Sequence, residues 1–209
     1  MIIKVCGMRN SENIQSLLAL KPDFVGFIFY KKSKRFVNDF PKVDFPKEIK
    51  KVGVFVNETI EEVLRIVEEY KLECVQLHGN ESPEYCWDLR RSELVSESHR
   101  IEIFKAFSID ENFNFNSTNQ FEKSCDYFLF DTKGKEYGGN GIKFNWEVLQ
   151  KYKGETPFLL SGGISKNDVL EIKKIKHIAF AGIDINSGFE IEPALKNISD
   201  IKEFKNNLL

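Results

Sequence analysis

Eight short apolar runs, spaced along a chain of 209 residues, limit what this sequence can fold into more than any other feature. They occupy residues 2–6, 23–30, 52–56, 73–78, 101–107, 126–131, 157–160 and 179–185. Each is rich in Val, Ile, Leu or Phe, too short for a helix and bounded by turn residues, so each reads as a strand covered on both faces. Between them lie stretches with apolar residues at helical spacing, clearest at 11–20, 58–70, 82–90, 145–152, 165–175 and 197–207. In 58–70 these residues are Ile60, Val63, Leu64 and Val67. The segments 38–50 and 112–124 are weak, and a helix in the second, which is rich in Phe and Asn, follows only from its place in the alternation. Doubly covered strands alternating with helices require a parallel sheet with right-handed crossovers. Eight such units close most naturally into an α/β fold of the (β/α)8 type, a TIM barrel, here one compact domain over residues 1–209 at the small end of the barrel range. The rival is an open doubly wound sheet. It would place a GxGxxG turn after the first strand, and none is there.

In a barrel the residues just past each strand converge on one mouth. That rule collects Cys6, Arg35, Gln76, His78, Asp131 and two turns of small residues. The first turn, Ser161-Gly162-Gly163-Ile164-Ser165, joins a buried strand to a helix start. Its glycine amides can approach a ligand closely, and Ser165 suits an N-cap, so the turn can hold a phosphate through backbone N–H groups. Alone it reads first as an ordinary tight strand-to-helix turn that needs glycine for its dihedrals. The second, Asp184-Ile185-Asn186-Ser187-Gly188, ends the next strand, and two consecutive strand ends sharing one anion is the barrel arrangement. The glycine-rich loop 132–141 has the makings of a lid, or of a plain surface loop. Each single residue also has a plain reading: a buried thiol for Cys6, a turn cap for Asp131, a solvated cation for Arg35 and a hydrogen-bonded wall residue for His78.

Composition excludes several classes. A net charge of −2 with Lys and Glu interleaved gives no electrostatic footprint for nucleic acid or an anionic membrane. No apolar run approaches the roughly 20 residues of a membrane span, and the N-terminus enters a strand at once, so a cytoplasmic location is expected. The four cysteines, at 6, 74, 86 and 125, form no CxxC pair and the three histidines are scattered, so neither a metal site nor a disulfide framework is expected. Cys74, Cys86 and Cys125 read as packing residues.

Taken in order, Lys4-Val5-Cys6-Gly7, Val25 to Tyr30 followed by Ser33-Lys34-Arg35, Val52 to Asn57, Val75-Gln76-Leu77-His78-Gly79, Leu129-Phe130-Asp131-Thr132, Tyr137-Gly138-Gly139, Leu160 to Ile164 and Asp184 to Glu190 resemble the phosphoribosylanthranilate isomerases of tryptophan biosynthesis. The resemblance spans nearly the whole chain. It implies an Amadori rearrangement of N-(5-phosphoribosyl)anthranilate without a cofactor, with Cys6 as general base and Asp131 as general acid. It also implies that Arg35 meets the anthranilate carboxylate through bidentate contacts, and that Gly162, Gly163, Asn186 and Ser187 hold the phosphate, with Asp184 beside them. Asp131 then has to carry a proton when substrate binds, and cationic neighbours should lower the pKa of the Cys6 thiol. The chain departs from the family pattern at Arg9, Asn186, Ala194 and Asn197, the last three bearing on the phosphate side. The expected partner is a small phosphorylated substrate, with a monomer the first expectation for assembly and a homodimer the second. Alternatives from other classes are a related phosphosugar isomerase, a non-catalytic barrel that binds a phosphorylated metabolite, and a thiol-redox protein. The first would place aspartate after strand one, and the last lacks a resolving cysteine near Cys6.

Overall fold

A computed structural model describes residues 1–93, 100–134 and 143–209. Its eight parallel strands close into a barrel: β1 (Ile2–Val5), β2 (Phe24–Ile28), β3 (Lys50–Phe55), β4 (Cys74–Leu77), β5 (Glu102–Ile109), β6 (Tyr127–Thr132), β7 (Phe158–Leu160) and β8 (Phe180–Ile185). The barrel shuts where β1 pairs with β8, Lys4 opposite Asp184 and Val5 opposite Ile185. Because side chains alternate along a strand, one pleat of every strand points inward. Phe24, Val52, Cys74, Phe104, Leu129 and Leu159 form a cluster of their own on that pleat, so the barrel is plugged by packed side chains. Two positions further along the same pleat come Lys4, Gln76, Asp131 and Asp184, all buried.

The outer layer is less regular than the alternation suggests. Helices α1 (Ser11–Leu18), α2 (Ile60–Tyr70), α3 (Pro83–Glu93), α4 (Val169–Lys174) and α5 (Ile198–Leu208) form where they were expected. Asn10, Thr59 and Asn197 each cap a helix by accepting the N–H three residues on, at 2.9, 3.3 and 3.2 Å. The expected helices at 112–124 and 145–152 are instead 3₁₀ turns, Phe115–Phe121 and Trp146–Lys151. No helix forms between β2 and β3. Pro41 and Pro46 in that segment lack the N–H that a helix interior needs. Aromatic packing covers the barrel there, with Phe40 stacked on Tyr70 at 4.4 Å and tilted against Phe27 at 4.7 Å. After β8 comes a 3₁₀ turn, Ser187–Phe189, and then a small hairpin of β9 (Glu190–Glu192) and β10 (Leu195–Lys196).

Candidate active site

At the C-terminal mouth of the barrel lies a cavity of about 470 Å³. Cys6, Arg35, Asp131, Gly162, Gly163, Asp184, Asn186 and Ser187 all line it, as do Gln76 and His78. Every residue singled out for the site therefore meets the same space, although they come from six strand ends. Tyr137, Gly138 and Gly139, and most of the lid segment, lie outside the described residues.

Cys6 directly follows β1, and its N–H donates to Ile185 O at 2.9 Å, which stitches the end of β1 to β8. Lys4, one inward step below, is fully buried and its Nζ donates to Asp184 Oδ1 at 2.9 Å. Burial works against the Lys4 ammonium, but Asp184 and the Cys6 sulfur more than offset it and hold its pKa above the ordinary lysine value. Burial also dominates at Cys6. It pushes the thiol up, Lys4 and Lys196 oppose it, Asp184 adds to it, and the net direction is upward. The cationic neighbourhood expected for Cys6 is present, yet desolvation outweighs it, contrary to the lowering expected.

Asp131 sits near the end of β6, with Oδ1 accepting the N–H of Thr132 at 2.9 Å. Its Oδ2 faces His78 Nε2 at 3.2 Å, and Gln76 Nε2 lies 2.8 Å from His78 Nδ1. Gln76 donating to Nδ1 leaves the imidazole proton on Nε2, pointing at Asp131. His78 is thus a wall residue held by hydrogen bonds, as its plain reading had it, but it also touches the candidate acid. The loop carrying His78 is fixed from behind: the carboxylate of Glu81 accepts the N–H groups of Asn57 and Gly79 at 2.8 and 2.9 Å and pairs with buried Lys105 at 3.0 Å.

Gly162 has φ +88°, and a Cβ there would stand 2.5 Å from Thr132 N and 2.7 Å from Asp131 Oδ1. Only glycine lets the β7 turn come so close to the Asp131 carboxylate. Gly7, at φ +74°, plays the same part between Arg35 and Asn186, where a Cβ would meet Arg35 Cδ at 2.7 Å and Asn186 Oδ1 at 2.8 Å. Ser165 is the N-cap residue of the turn leading into α4, its N–H and Oγ both donating to Asp168 Oδ2, at 2.6 and 2.9 Å.

The guanidinium fork of Arg35 is already engaged. Nε and Nη2 donate to Glu190 Oε1 and Oε2 at 2.8 and 2.6 Å, while Nη1 has no hydrogen bond among the described residues. Bidentate recognition of a substrate carboxylate through that Nε edge, as expected from the sequence, thus meets a fork closed on Glu190. Lys196 Nζ donates to Glu190 Oε1 and Asn186 Oδ1, each at 2.7 Å. Burial raises the Glu190 carboxyl, but the hydrogen bond from Arg35 and the charge of Lys196 prevail and hold it below its ordinary value. The reading of the sequence missed Lys4, Glu190 and Lys196 as site groups. A signal existed for Lys4 alone, a lysine inside an apolar strand two residues from Cys6 and hence on the same pleat. Arg9, one of the departures, donates from Nη1 to Phe36 O at 3.3 Å on the surface. No metal-holding cluster of His, Cys, Asp or Glu occurs among the described residues.

The model of the family described as N-(5'phosphoribosyl)anthranilate (PRA) isomerase matches residues 3–207 of the chain. A protein of Parabacteroides distasonis named N-(5'-phosphoribosyl)anthranilate isomerase is 49% identical, over 100% of this chain and 94% of its own. One of Phocaeicola vulgatus with the same name is 45% identical, covering 100% and 98%. Among solved structures, phosphoribosyl anthranilate isomerase from Thermotoga maritima superposes with a TM-score of 0.80 at 29% identity, covering 100% of this chain and 98% of that one. Another phosphoribosyl anthranilate isomerase, in complex with reduced 1-(o-carboxyphenylamino)-1-deoxyribulose 5-phosphate, superposes with 0.79 at 27% identity and the same coverage.

Proposed function

The chain belongs to the N-(5'-phosphoribosyl)anthranilate isomerase family, and from that membership we propose how its own residues carry the isomerisation. Asp131 gives a proton to the furanose ring oxygen as the C1–O bond breaks, leaving an iminium at C1. The thiolate of Cys6 then removes the C2 proton, the pair of electrons flows into the C1–C2 bond to give an enolamine, and ketonisation yields the 1-deoxyribulose product. The change is an internal redox exchange between C1 and C2 in which oxidation at one carbon balances reduction at the other, so no cofactor enters the scheme.

The observation that carries this reading is that Cys6, from β1, and Asp131, from β6, line one cavity whose wall between them is made of the small-residue turns after β7 and β8. The turns offer backbone and side-chain donors to the phosphate, through Gly162, Gly163, Asn186 and Ser187. His78 steadies the Asp131 carboxylate as it forms, and the Lys4 ammonium stabilises the Cys6 thiolate against its desolvation. Arg35 meets the anthranilate carboxylate from its Nη1 side while Glu190 fixes the Nε edge. Asp184 acts from below by holding Lys4. The setting that accords best with a biosynthetic isomerase of this kind is a single-domain monomer in the cytoplasm, and light scattering gives the oligomeric state directly.

Anthranilate-type fluorescence provides the test, because it is lost on turnover and retained on mere binding. Purified protein mixed with freshly formed N-(5'-phosphoribosyl)anthranilate should extinguish the signal at a rate proportional to protein concentration. A stable signal with saturable binding would replace the isomerase with a metabolite-binding barrel.

A further inference from the structure

Lys196 is almost fully buried in the hairpin after β8, yet it has no place in the chemistry above. Its backbone is pinned from α1, where Asn13 Oδ1 accepts its N–H at 2.8 Å and Asn13 Nδ2 donates to its carbonyl at 2.9 Å. Its ammonium therefore stands at a fixed point, with Asn186 Oδ1 and Glu190 Oε1 each 2.7 Å away. An ammonium only donates, so the Asn186 atom facing it has to be the carbonyl oxygen. The carboxamide nitrogen is thereby turned away from Lys196. It has no hydrogen-bond partner among the described residues, and Asn186 lines the cavity.

We propose that Lys196 is a positioning residue for the anion pocket: by holding Asn186 Oδ1 it presents the Asn186 N–H donors to the substrate phosphate. This rests on the isomerase reading, since it requires a phosphate at that wall. A plain attraction between the Lys196 charge and the anion would act whether or not Asn186 is there, whereas orientation acts only through Asn186. The two are separable by additivity, because residues that act through one another do not give additive effects.

The experiment measures inorganic phosphate as a competitive inhibitor of turnover in the wild type, Lys196→Met, Asn186→Leu and the double variant. Each single variant should weaken phosphate inhibition about tenfold, the scale of one hydrogen bond to a charged group. Both should raise KM more than they lower kcat, and the double variant should be no worse than Asn186→Leu. Unchanged inhibition in Lys196→Met, or losses that multiply in the double variant, would overturn the proposal while leaving the isomerase reading standing. A wild type without turnover would remove that reading and this inference with it. Should Lys196→Met lack a native circular dichroism spectrum, the wild type still decides. The side-chain amide resonances of Asn186 must shift when inorganic phosphate is added, and resonances that stay fixed would overturn the assignment.

Discussion

Lys4 carries a charge into the middle of an apolar strand, between Ile3 and Val5, and it is tolerated because Asp184 lies directly across the closing seam of the barrel. Removing one partner of such a pair leaves the other buried and uncompensated, which typically costs about 3–5 kcal/mol. Lys4→Met should therefore lower stability by that amount in urea unfolding; a loss below about 1 kcal/mol would show that the pair matters little. Because burial pushes the Cys6 thiol above its ordinary value, the rising limb of kcat/KM against pH should lie on the alkaline side of pH 9.0. A limb near pH 7 would mean that another group is the base. At Gly162, alanine would have to occupy a left-handed backbone conformation and overlap Thr132 N. Gly162→Ala should displace the Asp131 carboxylate and reduce kcat by about 10²-fold, the scale of an ångström-size misplacement. Retention of full activity would show that the turn yields without moving Asp131.

At the scale of elements, the sequence was legible where a single segment decides its own fate. The eight strands are short apolar runs with punctuation at each end, and all eight appear in the barrel. The outer layer was harder to read because pairing partners decide it. Phe40 covers β2 by stacking on Tyr70, thirty positions later, and no local periodicity signals that contact. The departures after β8 divide the same way. Asn197 supplies a helix cap by accepting the N–H of Asp200. Ala194 sits at φ +70° and is 3% exposed, so it holds a conformation that costs an L-residue roughly 1–2 kcal/mol. Ala194→Gly should stabilise the protein by about 1 kcal/mol after the entropy of glycine is deducted, read as a higher urea midpoint. A lower midpoint would place the hairpin under no such strain.

For the whole molecule, the site is assembled from both ends of the chain. Lys4 meets Asp184, Asn13 meets Lys196 and Arg35 meets Glu190, contacts separated by 180, 183 and 155 positions. Only the residues at strand ends could be listed from the sequence, through the barrel rule, whereas these pairings exist only once the barrel has closed. Burial of ionisable groups also sets how the fold responds to pH. It pushes up Cys6, Cys74, Tyr85 and Tyr152, from ordinary values of 9.0 for the thiols and 10.0 for the phenols. A raised folded value means that the stabilisation is complete below the unfolded value and is lost as pH climbs towards the folded one. The unfolding free energy should thus fall from about pH 9 upward, at a slope approaching about 1.4 kcal/mol per pH unit for each group released, and the urea midpoint should fall with it. A midpoint unchanged up to pH 10.5 would mean that these groups ionise in place. The central claim is that Cys6 and Asp131 act on the same substrate as base and acid, and single-turnover fluorescence decay of Cys6→Ala and Asp131→Asn tests it most directly. Both variants should keep a native spectrum and lose at least about 10²-fold in rate, whereas near-wild-type decay in either would contradict the assignment.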